Sequence, residues 1–181
     1  IVTISGTAGS GKSSVGKKIA KALKFKHYSI GDFMRELARE KNLSLEDIGK
    51  IAEGDKSIDI KLDRRQVELG KTEDDFVIDA RLGFLFIPSS IKIFLDGELR
   101  TRAERIWKDI KVKGKRKEER ADTIREIIEE MQNREKNEIK RYFKYYQVDP
   151  YDQKHYDCVV DTTNLNQEEV TQKVLEFLKS S

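Results

Sequence analysis

A glycine-rich stretch, Gly6 to Ser13, lies between a short apolar run and a helical pattern, and it leaves few folds open to this chain. Its letters fit the phosphate-binding loop pattern G-x-x-x-x-G-K-[ST], in which backbone N–H groups converge on phosphate oxygens. Residues 1–4 predict the strand before such a loop, and Val15 and Ile19 predict the helix after it. A glycine-rich turn without a ligand is the alternative, and the agreement of motif, order and position counts against it.

We therefore expect a site for a nucleoside triphosphate, with ATP and Mg²⁺ as the ligands. Lys12 would reach the β- and γ-phosphates, the Ser13 hydroxyl would ligate Mg²⁺, and the positive end of the following helix would face the phosphates. The residues expected to bind the nucleotide are Gly6, Ala8, Gly9, Ser10, Gly11, Lys12, Ser13 and Ser14.

Composition excludes several other classes of protein. With 181 residues the chain predicts one domain, and 38% charged against 37% apolar residues predicts a heavily charged surface. A net charge of only +3 does not favour nucleic acid as a partner, and no apolar run is long enough for a membrane span. One cysteine, Cys158, excludes a disulfide framework and fits the reducing cytoplasm. We interpret it as a core residue rather than a reactive thiol.

Short apolar runs alternate with helical patterns along the chain. The expected strands are residues 1–4, 25–29, 76–78, 91–95 and 159–160. The expected helices are 12–24, 32–41, one starting at Ser44 with Asp47 as its capping partner, about 58–70, about 98–110, about 118–146 and 166–178. This alternation predicts an α/β fold with a parallel sheet covered on both faces, and ligands then bind at the carboxyl ends of the strands. The loops expected at that edge are 6–13, 29–35, 79–83 and 161–164.

Ser29, Asp32 and Arg35 follow the second expected strand. Asp32 can cap the next helix, and Arg35 one turn later could grip an acceptor phosphate with two parallel hydrogen bonds. A helix cap with a solvated arginine explains the same residues equally well.

Asp79 and Arg81 follow the third expected strand. A carboxylate at this place in phosphate-loop proteins helps to hold the Mg²⁺ shell, and we expect Asp79 to do so through water. Arg81 would point into the same cleft. The alternatives are an aspartate of an ordinary turn and an arginine on the surface.

Arg134, Glu138 and Arg141 are spaced i, i+4 and i+7 in the longest helical pattern, so they share one face of that helix. They could form a solvated ladder of weak ion pairs. They could instead be two cationic clamps for transferred phosphates, with a carboxylate that reads the amino group of a base.

Residues 100–120 are the most basic part of the chain, with ten lysines or arginines against four acidic residues and Gly114 in the middle. This pattern predicts two helices joined by a basic turn, a lid that would close over phosphates and exclude water. A solvated charged hairpin is the alternative.

The assembled motifs resemble those of the cytidylate kinase family, in particular its short archaeal members. The anchors are residues 6–14, 31–38, 58–66 (IDIKLDRRQ), 79–82 (DARL), 102–106, 134–142 (REKNEIKRY) and 156–162. The resemblance runs in order over nearly the whole chain. It differs from the family at Ala80, where glycine is usual, and in the lid region.

The resemblance implies a three-layer nucleoside monophosphate kinase with a monophosphate-binding part at about 30–72 and a lid at about 106–120. It implies transfer of the ATP γ-phosphate to CMP or dCMP by a cytoplasmic monomer. By position, Arg35 and Arg81 would bind the acceptor phosphate, Arg134 and Arg141 would meet both phosphate chains, and Glu138 would read cytosine. Asp59, Asp63 and Arg64 would line the base pocket.

Two other functions stay open on the sequence alone. One is a kinase of the same fold for adenylate, uridylate or shikimate. The other is a nucleotide-controlled binding protein, either a GTPase-like switch or an RNA-associated ATPase. The absence of the guanine-reading sequence Asn-Lys-x-Asp counts against the switch, and only the basic cluster favours RNA.

Overall fold

Strand β1 (Val2–Gly6) is the central strand of a parallel sheet. In the computed structural model, which describes residues 1–44, 47–48, 51–52, 55–113 and 123–180, the sheet has five strands in the order β2-β3-β1-β4-β5. The other strands are β2 (Lys26–Ser29), β3 (Phe76–Asp79), β4 (Ile91–Asp96) and β5 (Cys158–Asp161).

Helices follow the strands in alternation. They are α1 (Lys12–Leu23), α2 (Ile30–Glu40), α3 (Lys56–Thr72), α4 (Gly83–Phe86), α5 (Leu99–Lys113), α6 (Ile124–Tyr146) and α7 (Gln167–Ser180), with a 3₁₀ turn at Gln153–His155. Residues 47–48 and 51–52 are also helical. Within the described residues no helix is both long and apolar enough to cross a membrane.

The predicted order of strands and helices is confirmed, with differences at the ends of elements. The Ser44 cap is present, since the Asp47 N–H donates to Ser44 Oγ at 3.0 Å. Helix α6 begins at Ile124 because Thr123 and Glu126 form a reciprocal capping box there. The earlier part of that predicted helix, 118–122, and the part of the predicted lid from 114 to 120 lie outside the described residues.

Alternate side chains of each strand enter two apolar layers. Ile4, Val77 and Ile93 pack with α1 and α7 on one face of the sheet. Phe76 and Ile78 face the opposite side and pack with Ile87, which follows the short helix α4. Two-sided burial of this kind is typical of parallel sheets whose connections are helices.

The register of the sheet sets the position of the site. Ile4 pairs with Asp79 on β3, and Gly6 pairs with Leu95 on β4. The carboxyl ends of β1, β3 and β4 therefore lie together, directly before the glycine-rich loop.

A second apolar cluster joins α2, the helical residues 47–48 and 51–52, and α3. Its buried members are Phe33, Leu37, Ala38, Ile48, Ala52, Ile58 and Leu62. These buried side chains form a small core in the 30–72 region, and Tyr28, Ile30 and Leu69 pack against both this core and the sheet layer of Phe76 and Ile78.

Candidate active site

The glycine-rich loop is held against the end of β4. The Thr7 N–H donates to the Leu95 carbonyl at 3.1 Å, and Thr7 Oγ1 donates to Asp96 Oδ1 at 3.0 Å. Gly6 has φ of 141°, and a Cβ on this residue would lie 2.0 Å from the Leu95 carbonyl oxygen. Only glycine fits this backbone approach, which places the loop at the edge of the sheet.

Lys12, Ser13 and Asp79 meet at the start of α1. Lys12 Nζ donates to the Thr7 carbonyl at 2.8 Å, and the Ser13 hydroxyl donates to Asp79 Oδ2. Burial, with the neighbouring charge of Arg81, lowers the pKa of Lys12 to about 7. A buried ammonium group among other cations creates an environment that favours an anion.

Arg81 forms a buried ion pair with Glu138 across the cleft between β3 and α6. Arg81 Nε lies 2.8 Å from Glu138 Oε2, and the two side chains are 13% and 11% exposed. Arg81 also donates to the Gly6 carbonyl. Burial opposes ionisation of Glu138, but Arg81 and Arg134 outweigh it and lower its pKa to about 2. The pair is therefore charged at neutral pH.

Arg134 contacts the same carboxylate from the rim of the site. Its Nε donates to Glu138 Oε1 at 3.0 Å while its side chain remains 63% exposed. This combination of a buried carboxylate with one buried and one exposed arginine differs from a fully solvated ladder, in which all the partners would be exposed.

Arg141 belongs to a second polar cluster between α3 and α6. Its Nε lies 3.7 Å from Asp59 Oδ2, and neither atom has a hydrogen-bond partner among the described residues, although both are buried. Gln66 Oε1 is buried and unpartnered within the same set of residues. Burial raises the pKa of Asp59, although Arg141 opposes the shift.

Asp63 lies beside this cluster and accepts a hydrogen bond from the Tyr146 hydroxyl. Burial raises the pKa of Asp63 to about 6 in spite of that hydrogen bond. Asp63 and Tyr146 also line an apolar groove of about 500 Å³ along α3, together with Arg64 and Phe86.

Ser29, Asp32 and Arg35 form a third group at the start of α2. Ser29 is buried, whereas Arg35 and Asp32 are about half exposed and form an ion pair with each other. Among the described residues, no ion pair or hydrogen bond connects Arg35 to Arg81 or Glu138, and its ion pair is this local one with Asp32.

The structure thus divides the residues predicted from the sequence into groups. Lys12, Ser13, Asp79, Arg81 and Glu138 lie together at the glycine-rich loop, with Arg134 at their rim. Asp59, Asp63 and Arg141 lie together between α3 and α6. That Glu138 recognises cytosine stays a prediction. In the structure both carboxylate oxygens of Glu138 contact arginines or a tyrosine.

Sequence reasoning missed two residues of the loop site. Tyr151, in the segment after α6, donates its hydroxyl to Glu138 Oε2 at 2.6 Å. Arg102, counted above within the basic stretch, is only 6% exposed and donates to the Ala8 carbonyl at 3.1 Å and to Glu135 at 2.9 Å. No motif covers Tyr151, and Arg102, although it begins the 102–106 anchor, carries no sign in the sequence that it is buried at the loop.

Solved structures identify the class of fold. A shikimate kinase from Bacteroides thetaiotaomicron superposes with a TM-score of 0.67 at 13% identity and covers 98% of this chain and 97% of its own. A protein of uncharacterised function from Eubacterium ventriosum superposes with a TM-score of 0.72 at 18% identity, with 99% and 98% covered. The sheet, the glycine-rich loop and these likenesses define the α/β fold of the small phosphate-loop kinases.

Sequence relatives identify the family. The cytidylate kinase-like family matches residues 1–164. A cytidylate kinase from Methanocella arvoryzae is 35% identical over 184 residues and covers 100% of this chain and 99% of its own length. A cytidylate kinase from Pyrococcus horikoshii is 40% identical over 171 residues, with 94% and 83% covered. The chain belongs to the cytidylate kinase-like family.

Proposed function

We propose that this protein is a nucleoside monophosphate kinase that transfers the γ-phosphate of ATP to CMP or dCMP. The observation that carries the proposal is the convergence of Lys12, Ser13, Asp79, Arg81 and Glu138 at the glycine-rich loop. Membership of the cytidylate kinase-like family supports CMP or dCMP as the acceptor. This membership favours neither a GTPase-like switch nor an RNA-associated ATPase.

The residues at the loop fit ATP and Mg²⁺. Ser13 and Asp79 bring two oxygen atoms together, and hard cations such as Mg²⁺ prefer oxygen ligands. Lys12 lies at the loop, and its ammonium form and the start of α1 would supply positive charge for the phosphates. When bound, Mg²⁺ neutralises charge on the β- and γ-phosphates. Ser13 would hold it directly and Asp79 through water.

On the acceptor side, Arg81 would bind the phosphate of CMP, and Arg35 would join it. The attacking phosphate oxygen is already anionic, so the chain needs no general base. The residues would instead orient the two phosphate groups and offset their charge, with Lys12, Arg134 and Arg141 in the catalytic role.

The cytosine would lie on the α3 side of the cleft. Asp59, Asp63 and Arg64 would line its pocket, and the buried unpartnered atoms of Asp59 and Arg141 offer an acceptor and a donor to a base or ribose. Glu138 would read cytosine, as the resemblance implies. Its contacts with Arg81 and Arg134 support an additional role in holding these two arginines.

The 30–72 region would act as the monophosphate-binding part, and the separate apolar cluster of α2 and α3 supports this assignment. A lid at about 106–120 would close over the phosphates. A monomeric state and a cytoplasmic location belong to the same proposal, and the single free cysteine supports the location.

An assay of ADP release tests the proposal. ATP and Mg²⁺ are supplied with CMP, dCMP, UMP, AMP, GMP or shikimate as the acceptor. We expect strong preference for CMP or dCMP. Preference for another acceptor would contradict the assigned substrate while leaving the kinase chemistry, and no transfer to any acceptor would contradict the kinase assignment itself.

A further inference from the structure

Tyr151 joins the loop site from a segment that none of the sequence motifs covers. It follows Pro150, and its own N–H donates to Asp149 Oδ1 at 2.8 Å, which fixes a tight turn after α6. From this turn the Tyr151 hydroxyl reaches Glu138 Oε2 at 2.6 Å. The Tyr151 side chain thus reaches from beyond the end of α6 back to Glu138 within the helix, beside the residues predicted to bind phosphate.

Glu138 has both oxygens fully engaged. Oε1 accepts from Arg134 Nε at 3.0 Å and from Arg81 Nη2 at 3.4 Å, while Oε2 faces Arg81 Nε at 2.8 Å and accepts from the Tyr151 hydroxyl. A buried carboxylate needs such partners, because each unmet acceptor is costly away from water. Tyr151 supplies one of these hydrogen-bond partners. Because its hydroxyl is neutral, it leaves the net positive charge of the site unchanged.

Arg81 is held on three sides. Glu138 faces its Nε at 2.8 Å in an ion pair and accepts one N–H of Nη2, and the Gly6 carbonyl accepts one N–H of Nη1. The Tyr151 ring lies 5.2 Å from the guanidinium carbon, a cation–π distance. A guanidinium group has five N–H donors, and the hydrogen bonds to Glu138 and Gly6 use one on each terminal nitrogen. One N–H on each terminal nitrogen therefore remains for a phosphate.

We infer that Tyr151 is a positioning residue that orients Arg81 toward the acceptor phosphate, through its hydrogen bond to Glu138 and through its ring. The inference rests on the proposed function, because it needs Arg81 to bind that phosphate. The hydroxyl fixes the carboxylate, the carboxylate fixes one edge of the guanidinium group, and the ring limits rotation of its plane.

The first test compares the variants Tyr151→Phe and Tyr151→Leu. Loss of the hydroxyl alone should raise KM for CMP about tenfold, equivalent to about 1.4 kcal/mol, with KM for ATP changed less than about twofold. Tyr151→Leu should raise KM for CMP further because the ring is lost as well. Equal changes in the KM values for CMP and ATP would overturn the inference, as would no change in either.

Tyr28→Phe is the matched control. The Tyr28 hydroxyl also donates to a glutamate, Glu73 Oε2, at 2.8 Å, but this pair lies outside the predicted site. The same substitution there removes the same kind of hydrogen bond, and KM for CMP should stay within about twofold of the wild-type value.

A double-mutant cycle with Glu138→Ala separates positioning from packing of the turn. If Tyr151 acts through Glu138, Tyr151→Phe should have little further effect on KM for CMP in the Glu138→Ala background. A full tenfold effect in that background would overturn the inference, because the hydroxyl would then act by another route.

A measurement on the ligand-free protein keeps this inference separable from the kinase assignment. The Nε–H signal of Arg81, assigned by its loss in Arg81→Lys, should exchange with water several-fold faster in Tyr151→Phe and unchanged in Tyr28→Phe. Unchanged exchange in Tyr151→Phe would overturn the inference even for an active kinase. If the wild-type protein transfers no phosphate, the kinase proposal fails alone, and faster exchange would still support the positioning of Arg81.

Discussion

The cations of the site differ in how far the fold holds them in place. Lys12 and Arg81 are enclosed and hydrogen-bonded to backbone carbonyls, whereas Arg134 and Arg35 keep much of their surface in water. An enclosed cation is already oriented before a phosphate arrives, so little reorganisation is needed on binding. An exposed one has to be ordered on binding, at a cost in side-chain entropy.

Lys12→Ala should nearly abolish turnover while the fold survives. The ammonium group contacts only the Thr7 carbonyl among the hydrogen bonds described for it, so its loss removes charge from the phosphates rather than support from the core. We expect kcat to fall at least about a thousandfold. The check is the ADP-release assay together with circular dichroism, and wild-type-like turnover would contradict the mechanism.

Asp63→Asn should change how stability depends on pH. The pKa of Asp63 is about 6 in the folded protein against an ordinary value of 3.8, so the folded protein binds this proton more tightly than the unfolded chain does. The resulting stability is complete below about pH 4 and is lost as the pH rises through 6. Asparagine does not titrate and can still accept from Tyr146. From pH 4 to 7 the variant should therefore gain about 1 to 3 kcal/mol of unfolding free energy relative to the wild type.

Urea unfolding at several pH values measures this difference. Asp59, Lys56 and Arg141 face Asp63 and are unchanged in the variant, so their contributions largely cancel. Asp55→Asn is the control. Hydrogen bonds from Ser57 lower the pKa of Asp55, so this variant should show a difference of the opposite sign. Parallel pH curves for Asp63→Asn and wild type would contradict the assignment.

At the level of elements, helix α6 carries Arg134, Glu138 and Arg141, and its start is fixed by local hydrogen bonds. Thr123 Oγ1 accepts from the Glu126 N–H at 3.2 Å, and the Glu126 carboxylate accepts from the Thr123 N–H at 3.0 Å. Such a capping box can be recognised in a sequence, and it places the start of α6 at Ile124. The sequence predicts a start at about 118 from the spacing of the side chains, and such boundaries are the least certain part of a prediction.

Thr123→Ala should lower the free energy of unfolding by about 1 kcal/mol, because the cap is lost. Turnover should change less than about twofold, because Arg134 lies about 16 Å further along the helix. Urea unfolding and the kinase assay measure the two quantities. Thr123→Ser restores the acceptor and should restore stability, and equal losses in the serine and alanine variants would contradict the role of the cap.

Strands, long helices and the loop motif could be predicted from the sequence because each depends on periodicity or on local geometry. The apolar runs at 76–78 and 91–95 fix β3 and β4, and Gly6 fixes the close approach to Leu95. The contact of Tyr151 with Glu138 could not be predicted, because it depends on how a turn after α6 folds back. The pairing of Arg35 with Asp32 is local, since they lie three residues apart in α2, but the sequence did not decide between it and an acceptor site.

For the whole molecule, the separate apolar cluster of α2 and α3 divides the chain into parts with different packing. The sheet is buried on both faces, whereas the 30–72 region has a smaller core and exposes Ile51 and Ile60. Regions with little buried apolar contact open locally at lower free energy than the rest of a protein.

CMP should slow amide hydrogen exchange in α2 and α3 more than in β1, β3 and β4. At a CMP concentration one hundred times its Kd, exchange in these helices should slow by about a hundredfold, because CMP would bind only while this region is folded and not while it is locally opened. Exchange followed by mass spectrometry measures it, and GMP is the control ligand. Uniform slowing over the sheet and the helices would contradict a separate monophosphate-binding part.

The buried atoms of Asp59, Gln66 and Arg141 that find no hydrogen-bond partner among the described residues affect how long the protein persists in the cell. Each of them raises the free energy of the folded, ligand-free chain, since in the unfolded chain water would satisfy it. A nucleotide that supplies the missing partners would act as a folding aid as well as a substrate. The supply of monophosphate in the cell would then help to set how long each copy of the protein escapes degradation.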